Sequence, residues 1–104
     1  MYGTIARFRM KPGMEQQFEK FSRQEVPQIP GFVFQHVYRM DADPNEYYLV
    51  VAFESREAYQ ANATSSEQHE RYQQYSELVE TEPEWHDGEI LFSYPAEVEG
   101  HRAL

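Results

Sequence analysis

Few side chains in this sequence have chemistry to offer, and they fall in two places. His36 stands among Phe34, Tyr38 and Met40. In an apolar cavity, a neutral imidazole there could take the proton of a phenolic hydroxyl near neutral pH. Its plainer role is that of a packed, hydrogen-bonded sheet histidine. His69 opens the run His-Glu-Arg-Tyr-Gln, a near match to the zinc-protease helix. That motif needs a second histidine one helical turn on, and Gln73 stands there, so no metal site is expected. What remains is a helix-face histidine that can point into a pocket. Tyr72 and Tyr75, three residues apart on the same helix, could hydrogen-bond a quinone oxygen or simply form an inner aromatic stripe. Asn62 closes a short helix, where its plain role is a C-terminal cap. Trp85, ahead of His86-Asp87-Gly88, could wall a pocket or seal a contact between two copies. Arg7 and Arg39 can pair with acidic neighbours or hold an anionic substrate.

Several classes of chemistry have no residues to support them. There is no Gly-rich phosphate loop, no flavin or nicotinamide fingerprint, no Ser/His/Asp spacing and no dense His/carboxylate cluster, so neither cofactor nor metal is expected. The absence of cysteine rules out disulfides and thiolate nucleophiles. Lys and Arg total 9 against 18 Asp and Glu, and a net charge of -9 repels nucleic-acid phosphates and anionic lipid. Nucleic acid and membrane are therefore not expected partners. No segment approaches the roughly 18 apolar residues of a membrane span, and residues 1–7 carry no secretory leader pattern, so a cytoplasmic location is expected. Asn62-Ala63-Thr64 matches a glycosylation sequon, which means nothing without a route to the secretory pathway.

The elements that must position these residues follow from periodicity. One domain over residues 1–95 is expected, with a polar tail over residues 96–104, because 104 residues fill one core. Residues 2–10 alternate as a strand, with Tyr2, Thr4, Ala6, Phe8 and Met10 on one side. Lys11-Pro12-Gly13 breaks it, and Met14, Phe18 and Phe21 then give one apolar stripe on a helix ending near Val26. After the Pro30-Gly31 turn, residues 32–40 and 47–54 read as two strands of a hairpin joined by the polar turn at residues 41–46. The second of these is apolar at consecutive positions, so both of its faces should be covered. Ser55 can cap a short helix over residues 56–62, and Thr64-Ser-Ser-Glu67 has capping-box spacing ahead of a helix running to about Val79. Residues 82–88 read as a loop and residues 89–94 as the last strand. Strand, helix, strand, strand, helix pair, strand folds most simply as an α+β, ferredoxin-like βαββαβ domain, a four-stranded antiparallel sheet with its helices on one face. The bare face then calls for a second copy packed sheet to sheet, a homodimer.

The closure of the first strand by Lys11-Pro12-Gly13, the turn Ile29-Pro30-Gly31-Phe32, and above all Tyr48-Leu-Val-Val-Ala-Phe-Glu-Ser-Arg-Glu-Ala-Tyr59 resemble the antibiotic biosynthesis monooxygenase (ABM) family of the dimeric α+β barrel superfamily. The resemblance spans residues 2–94. It implies a barrel formed by two sheets, and membership among domains that include cofactor-independent monooxygenases converting phenols or quinols to quinones, and haem-degrading enzymes. The haem-degrading branch resembles an Asn, Trp and His constellation. The corresponding places here hold Ala6, Asn62 and Tyr72, so that activity is not expected.

The leading expectation is a monooxygenase acting with dioxygen on a small hydroxylated aromatic, with His36, His69, Tyr72 and Asn62 as catalytic candidates and Trp85, Tyr75 and Phe34 as substrate contacts. The alternatives are a proton-transfer enzyme, such as an isomerase or decarboxylase, or a non-catalytic small-molecule-binding domain on the same barrel.

Overall fold

A computed structural model describes residues 1–95. The strands are β1 (Tyr2–Arg9), β2 (Phe32–Arg39), β3 (Glu46–Phe53) and β4 (Glu84–Glu89), and the helices are α1 (Glu15–Glu25), α2 (Arg56–Ala63) and α3 (Ser66–Ser76). A single 3₁₀ turn, Val26–Gln28, follows α1 where Pro27 removes the backbone donor the helix would need. The sheet order is β2-β3-β1-β4 with every neighbouring pair antiparallel, which is the ferredoxin-like α+β arrangement.

Cross-strand register assigns the faces. Thr4, Ala6 and Phe8 stand opposite Val51, Leu49 and Tyr47 on β3. On β4, Asp87 and Trp85 lie opposite Thr4 and Ala6. Because directly opposed residues share a face, all of these point toward the helices. Ile5, Arg7, His86, Val50 and Tyr48 belong to the other face by the same pairing. β2 carries an irregularity between Phe32 and Phe34, after which Gln35 stands opposite Val51 and His36 opposite Val50. The extra residue sets which β2 side chains face inward.

Two apolar clusters hold the layers together. Ala6, Phe8, Met10, Phe18, Tyr47, Leu49 and Val79 form one, and Val26, Ile29 and Phe53 the other. Phe18 of α1 stacks on Phe8 at 5.3 Å, and Tyr47 stacks on the same ring at 5.7 Å. Each such ring, taken out of water, contributes about 2–3 kcal/mol. Ser55 caps α2 by accepting the Ala58 amide at 3.0 Å. Gly31 turns the chain from α1 into β2 at φ +81°, and a Cβ there would lie 2.6 Å from the Ala58 side chain, so this glycine also admits α2.

Three boundaries differ from the sequence expectation. The last strand is the polar segment Glu84–Glu89, read above as a loop, and not the apolar run that follows it. Edge pairing to β1 satisfies backbone groups whatever the side chains are, and every residue of β4 is solvent-exposed on an edge where polarity costs nothing. Leu91, Phe92 and Tyr94 lie outside any strand and are largely exposed. α3 begins behind Ser65, whose hydroxyl accepts the Gln68 amide at 3.0 Å, and not behind Thr64, whose hydroxyl donates back to Gln60 of α2. It also ends at Ser76. Val79 leaves it to bridge Met10 beside β1, a tertiary pairing that outweighs one more helical turn. The tail over residues 96–104 lies outside the described residues.

Candidate functional site

A cavity of roughly 510 Å³ lies between the inner sheet face and the helices. This is the usual size of a small-molecule site. It separates the two apolar clusters, with Phe8, Phe18 and Leu49 of one and Val26, Ile29 and Phe53 of the other on its wall. Most of the polar groups that reach it come from the helices and from β4, among them Asn62, Gln68, His69, Arg71, Tyr72 and Asp87. A largely apolar wall with a few polar groups is suited to hold a flat ring and fix its oxygen atoms.

α3 supplies most of this polar edge because residues spaced three and four apart share a helix face. Gln68, Tyr72 and Tyr75 follow that spacing, with Arg71 alongside. The helix is fastened to α1 by the Tyr75 hydroxyl and Ser22 Oγ, 2.7 Å apart, and by the Tyr75 ring against Phe18 at 5.0 Å and Phe21 at 4.9 Å. Burial pushes the Tyr75 hydroxyl above the ordinary tyrosine range, so it stays protonated. Burial raises Tyr72 as well, helped by the charge of Glu82. His69 is exposed at the cavity margin, with Gln73 Nε2 3.4 Å from its own Nε2.

Arg71 is the most enclosed charge at the site, with its side chain 11% exposed. Its Nη1 donates to Asn62 Oδ1 at 3.2 Å and Gln68 Oε1 at 3.0 Å, and Asn62 Nδ2 donates to Gln68 Oε1 at 3.2 Å. Across the cavity wall, Tyr59 of α2 donates to Asp87 Oδ1 of β4 at 2.7 Å. Burial, then the hydrogen bond to Asp87 and its charge, drives the Tyr59 hydroxyl far above its ordinary range. Thr4 Oγ1 is buried on the inner sheet face and has no hydrogen-bond partner among the described residues. Among those residues no group of three or more His, Asp or Glu side chains comes together as metal ligands would.

The cavity gathers His69, Tyr72, Asn62, Tyr75 and Trp85 from the sequence candidates. It does not gather His36 or Phe34. The β2 register turns His36 to the face of Val50, away from the helices, and Phe34 packs edge-on against it at 4.9 Å. His36 thus lies outside this cavity, and β2 contributes Gln35 to it instead. Trp85 sits within β4, and not in a loop, and is 46% exposed. Sequence reading missed Arg71, Gln68, Tyr59 and Asp87. The spacing Gln68, Arg71, Tyr75 on one helix could have revealed the first two. Nothing in a run as polar as residues 84–89 marks Asp87.

The fold and the cavity define a ferredoxin-like α+β domain that encloses a ring-sized apolar space between sheet and helices. The antibiotic biosynthesis monooxygenase family model matches residues 1–75, and the chain belongs to that family. Solved structures agree on the fold. A candidate antibiotic biosynthesis monooxygenase from Chloroflexus aurantiacus J-10-fl shares 18% identity at a TM-score of 0.72, over 89% of this chain and 95% of that one. One from Bordetella bronchiseptica shares 23% identity at 0.72, over 88% and 97%. SnoaB from Streptomyces nogalater, a cofactor-independent oxygenase solved as an asparagine-to-alanine mutant, shares 16% identity at 0.73, over 90% and 96%. No curated protein matches the sequence.

Proposed function

We propose that this chain is a monooxygenase that oxidises a small hydroxylated aromatic or quinol with dioxygen. The observation that carries this reading is the cavity itself, roughly 510 Å³, aromatic and aliphatic on its walls, with an amide, imidazole and phenol on one edge. Family membership and the likeness to an oxygenase described as cofactor-independent support the same chemistry.

The reaction balances with the ring as electron donor. A phenol and one dioxygen give a para-quinone and one water: one oxygen atom becomes the new carbonyl, and the other leaves as water with the hydroxyl hydrogen and the hydrogen of the para carbon. Loss of the phenolic proton comes first, because the phenolate gives up an electron to dioxygen far more readily than the phenol does. His69 is the proton acceptor in this reading, since an imidazole at the cavity margin can pass the proton on to bulk water. Tyr72 and Asn62 hold oxygen atoms of the ring and its adduct, and Tyr75 and Trp85 confine the ring, so the protein works by positioning and electrostatics. His36 has no place in this cavity.

Oxygen-electrode measurements on metal-stripped protein with a panel of hydroquinones, anthrones and other phenols test the proposal. Protein-dependent uptake with quinone formation, lost in His69→Ala and reduced in Tyr72→Phe, is the expected result. Proton exchange or isomerisation of the same phenols with no oxygen consumed would replace oxygenation with proton transfer.

The outer sheet face supports a homodimer packed sheet to sheet. On that face Ile5 is 49% exposed and Tyr38 55%, and Leu91, Phe92 and Tyr94 beyond β4 are exposed as well. Exposed apolar side chains of this kind are covered at low cost by a second copy about a twofold axis. Sedimentation equilibrium at micromolar concentration should give twice the mass of the chain, and a monomer would end this part of the reading. Among the described residues no helix is long and apolar enough to cross a membrane.

A further inference from the structure

Arg71 is the only lysine or arginine on the cavity wall among the described residues, and the one carboxylate at ion-pair distance makes no hydrogen bond to it. The hydrogen-bond acceptors it reaches are the carbonyl oxygens of two neutral amides, Asn62 and Gln68, both bound to the same Nη1. Its Nε is fully buried and makes no hydrogen bond among the described residues. The carboxylate nearest to it, Glu25 Oε1 of α1, lies at 3.7 Å, beyond hydrogen-bond reach. Asp87, the one carboxylate on the cavity wall among the described residues, is engaged by the Tyr59 hydroxyl. A guanidinium offers five donors in a planar fork and cannot shed its proton, so burial leaves it short of a hydrogen-bonded anionic acceptor.

We propose that Arg71 is the anion-binding residue of the cavity, and that its ligand is an aromatic ring bearing an ionised oxygen, either a phenolate or a ring carboxylate. The inference deepens the oxygenase reading, because a site that favours the phenolate also favours the species that reduces dioxygen. Gln68 Oε1 and Asn62 Oδ1 then position the guanidinium by holding Nη1, which leaves Nη2 without a partner among the described residues, while the Asn62 amide group keeps a hydrogen for a ring oxygen. Glu25 acts as a tethered competitor for the same charge, which gives the proposal a variant with the opposite sign. The charged or titratable groups around the guanidinium are Glu25 and Tyr75, with His69 elsewhere on the cavity wall.

The test uses the full chain and three small probes. 4-Nitrophenol, followed by absorbance above and below its own pKa, reports how strongly the protein prefers phenolate to phenol. Benzoate and benzamide, followed by calorimetry, supply a carboxylate and its neutral isostere. Wild type should bind the anion of each pair more tightly and lower the pKa of bound nitrophenol. Arg71→Gln should weaken anion binding by about tenfold or more while changing benzamide binding less than about twofold. Glu25→Gln should tighten anion binding severalfold, a gain that a merely structural arginine would not produce. Preference for nitrophenolate alone assigns a phenolate ligand, and equal preference for benzoate extends the class to carboxylates. A wild type that does not distinguish anion from neutral ring overturns the proposal, as does an Arg71→Gln variant of unchanged urea midpoint that binds anions normally. Should Arg71→Gln fail to fold, unchanged or weaker anion binding by Glu25→Gln overturns it. Tight anion binding without oxygen uptake removes the oxygenase and leaves Arg71 in its role, whereas uptake with no anion preference does the reverse.

Discussion

Replacing Tyr75 by Phe probes the fastening that sets the width of the cavity. The Tyr75 ring packs on Phe18 and Phe21, and phenylalanine keeps those contacts. What is lost is the bond between its hydroxyl and Ser22 Oγ at 2.7 Å. Ser22 is 7% exposed, so its orphaned hydroxyl cannot turn fully to water. A net hydrogen bond plus part of that desolvation gives a loss of about 1–2 kcal/mol. For a domain near 100 residues this lowers Tm by roughly 5–15 °C. Ser22→Ala should cost less, about 0.5–1 kcal/mol, because the Tyr75 hydroxyl borders the cavity and can recruit water there. The double variant Tyr75→Phe with Ser22→Ala leaves no orphan, so it should be no worse than the Tyr75 single change, giving a coupling of about 1 kcal/mol. Urea unfolding followed by Trp85 fluorescence and by circular dichroism, at constant m, measures each corner of the cycle. If the two changes add to within about 0.3 kcal/mol, the bond does not join α3 to α1 and this account of the cavity wall is wrong.

Gly31→Ala should destabilise the domain by about 2–4 kcal/mol in the same urea assay, since it places a Cβ at φ +81° and 2.6 Å from Ala58. Trp85→Ala should change stability by less than about 1 kcal/mol, because the indole is 46% exposed on an edge strand. It should nevertheless weaken benzamide binding by about two- to tenfold in calorimetry, since the same indole walls the cavity. The Asp43 carboxyl is held below the ordinary carboxylate range, first by the Arg9 guanidinium and then by the Asn45 amide. A carboxyl depressed by folding stabilises the protein above its unfolded pKa of about 4, and that contribution fades as pH falls through the lower folded value. Wild type should therefore exceed Asp43→Asn in urea midpoint at pH 7, and the gap should narrow at pH 3.

The alternating apolar residues of β1, the Phe18 stripe of α1, the Pro30-Gly31 turn, the consecutive apolar positions of β3 and the Ser55 cap were all legible in the sequence, because each is a local signal. Alternation sorts side chains between two faces whatever the partner strand, a capping hydroxyl reaches an amide three residues on, and a glycine at positive φ needs no tertiary contact to favour it. These signals in chain order already determined the βαββαβ fold and placed Asn62, His69, Tyr72 and Tyr75 on the helices that cover the sheet.

Tertiary structure alone decided the rest. One extra residue in β2 turned His36 away from the cavity and Gln35 toward it, and a shift of one position along a strand inverts the face of every residue beyond it. The unpaired edge of β1 took Glu84–Glu89 as its partner over the more apolar run behind it, because ladder hydrogen bonds join backbone to backbone and are indifferent to side-chain polarity on an exposed edge. That choice brought Trp85 and Asp87 to the cavity wall. Arg71 reads as one more solvated helix charge in the sequence, and only the packing of α3 against α1 and α2 encloses it among Glu25, Asn62 and Gln68. Periodicity tells a residue's direction from its own element, whereas the enclosure of a charge depends on which other elements arrive, and those are set by contacts far apart in the chain.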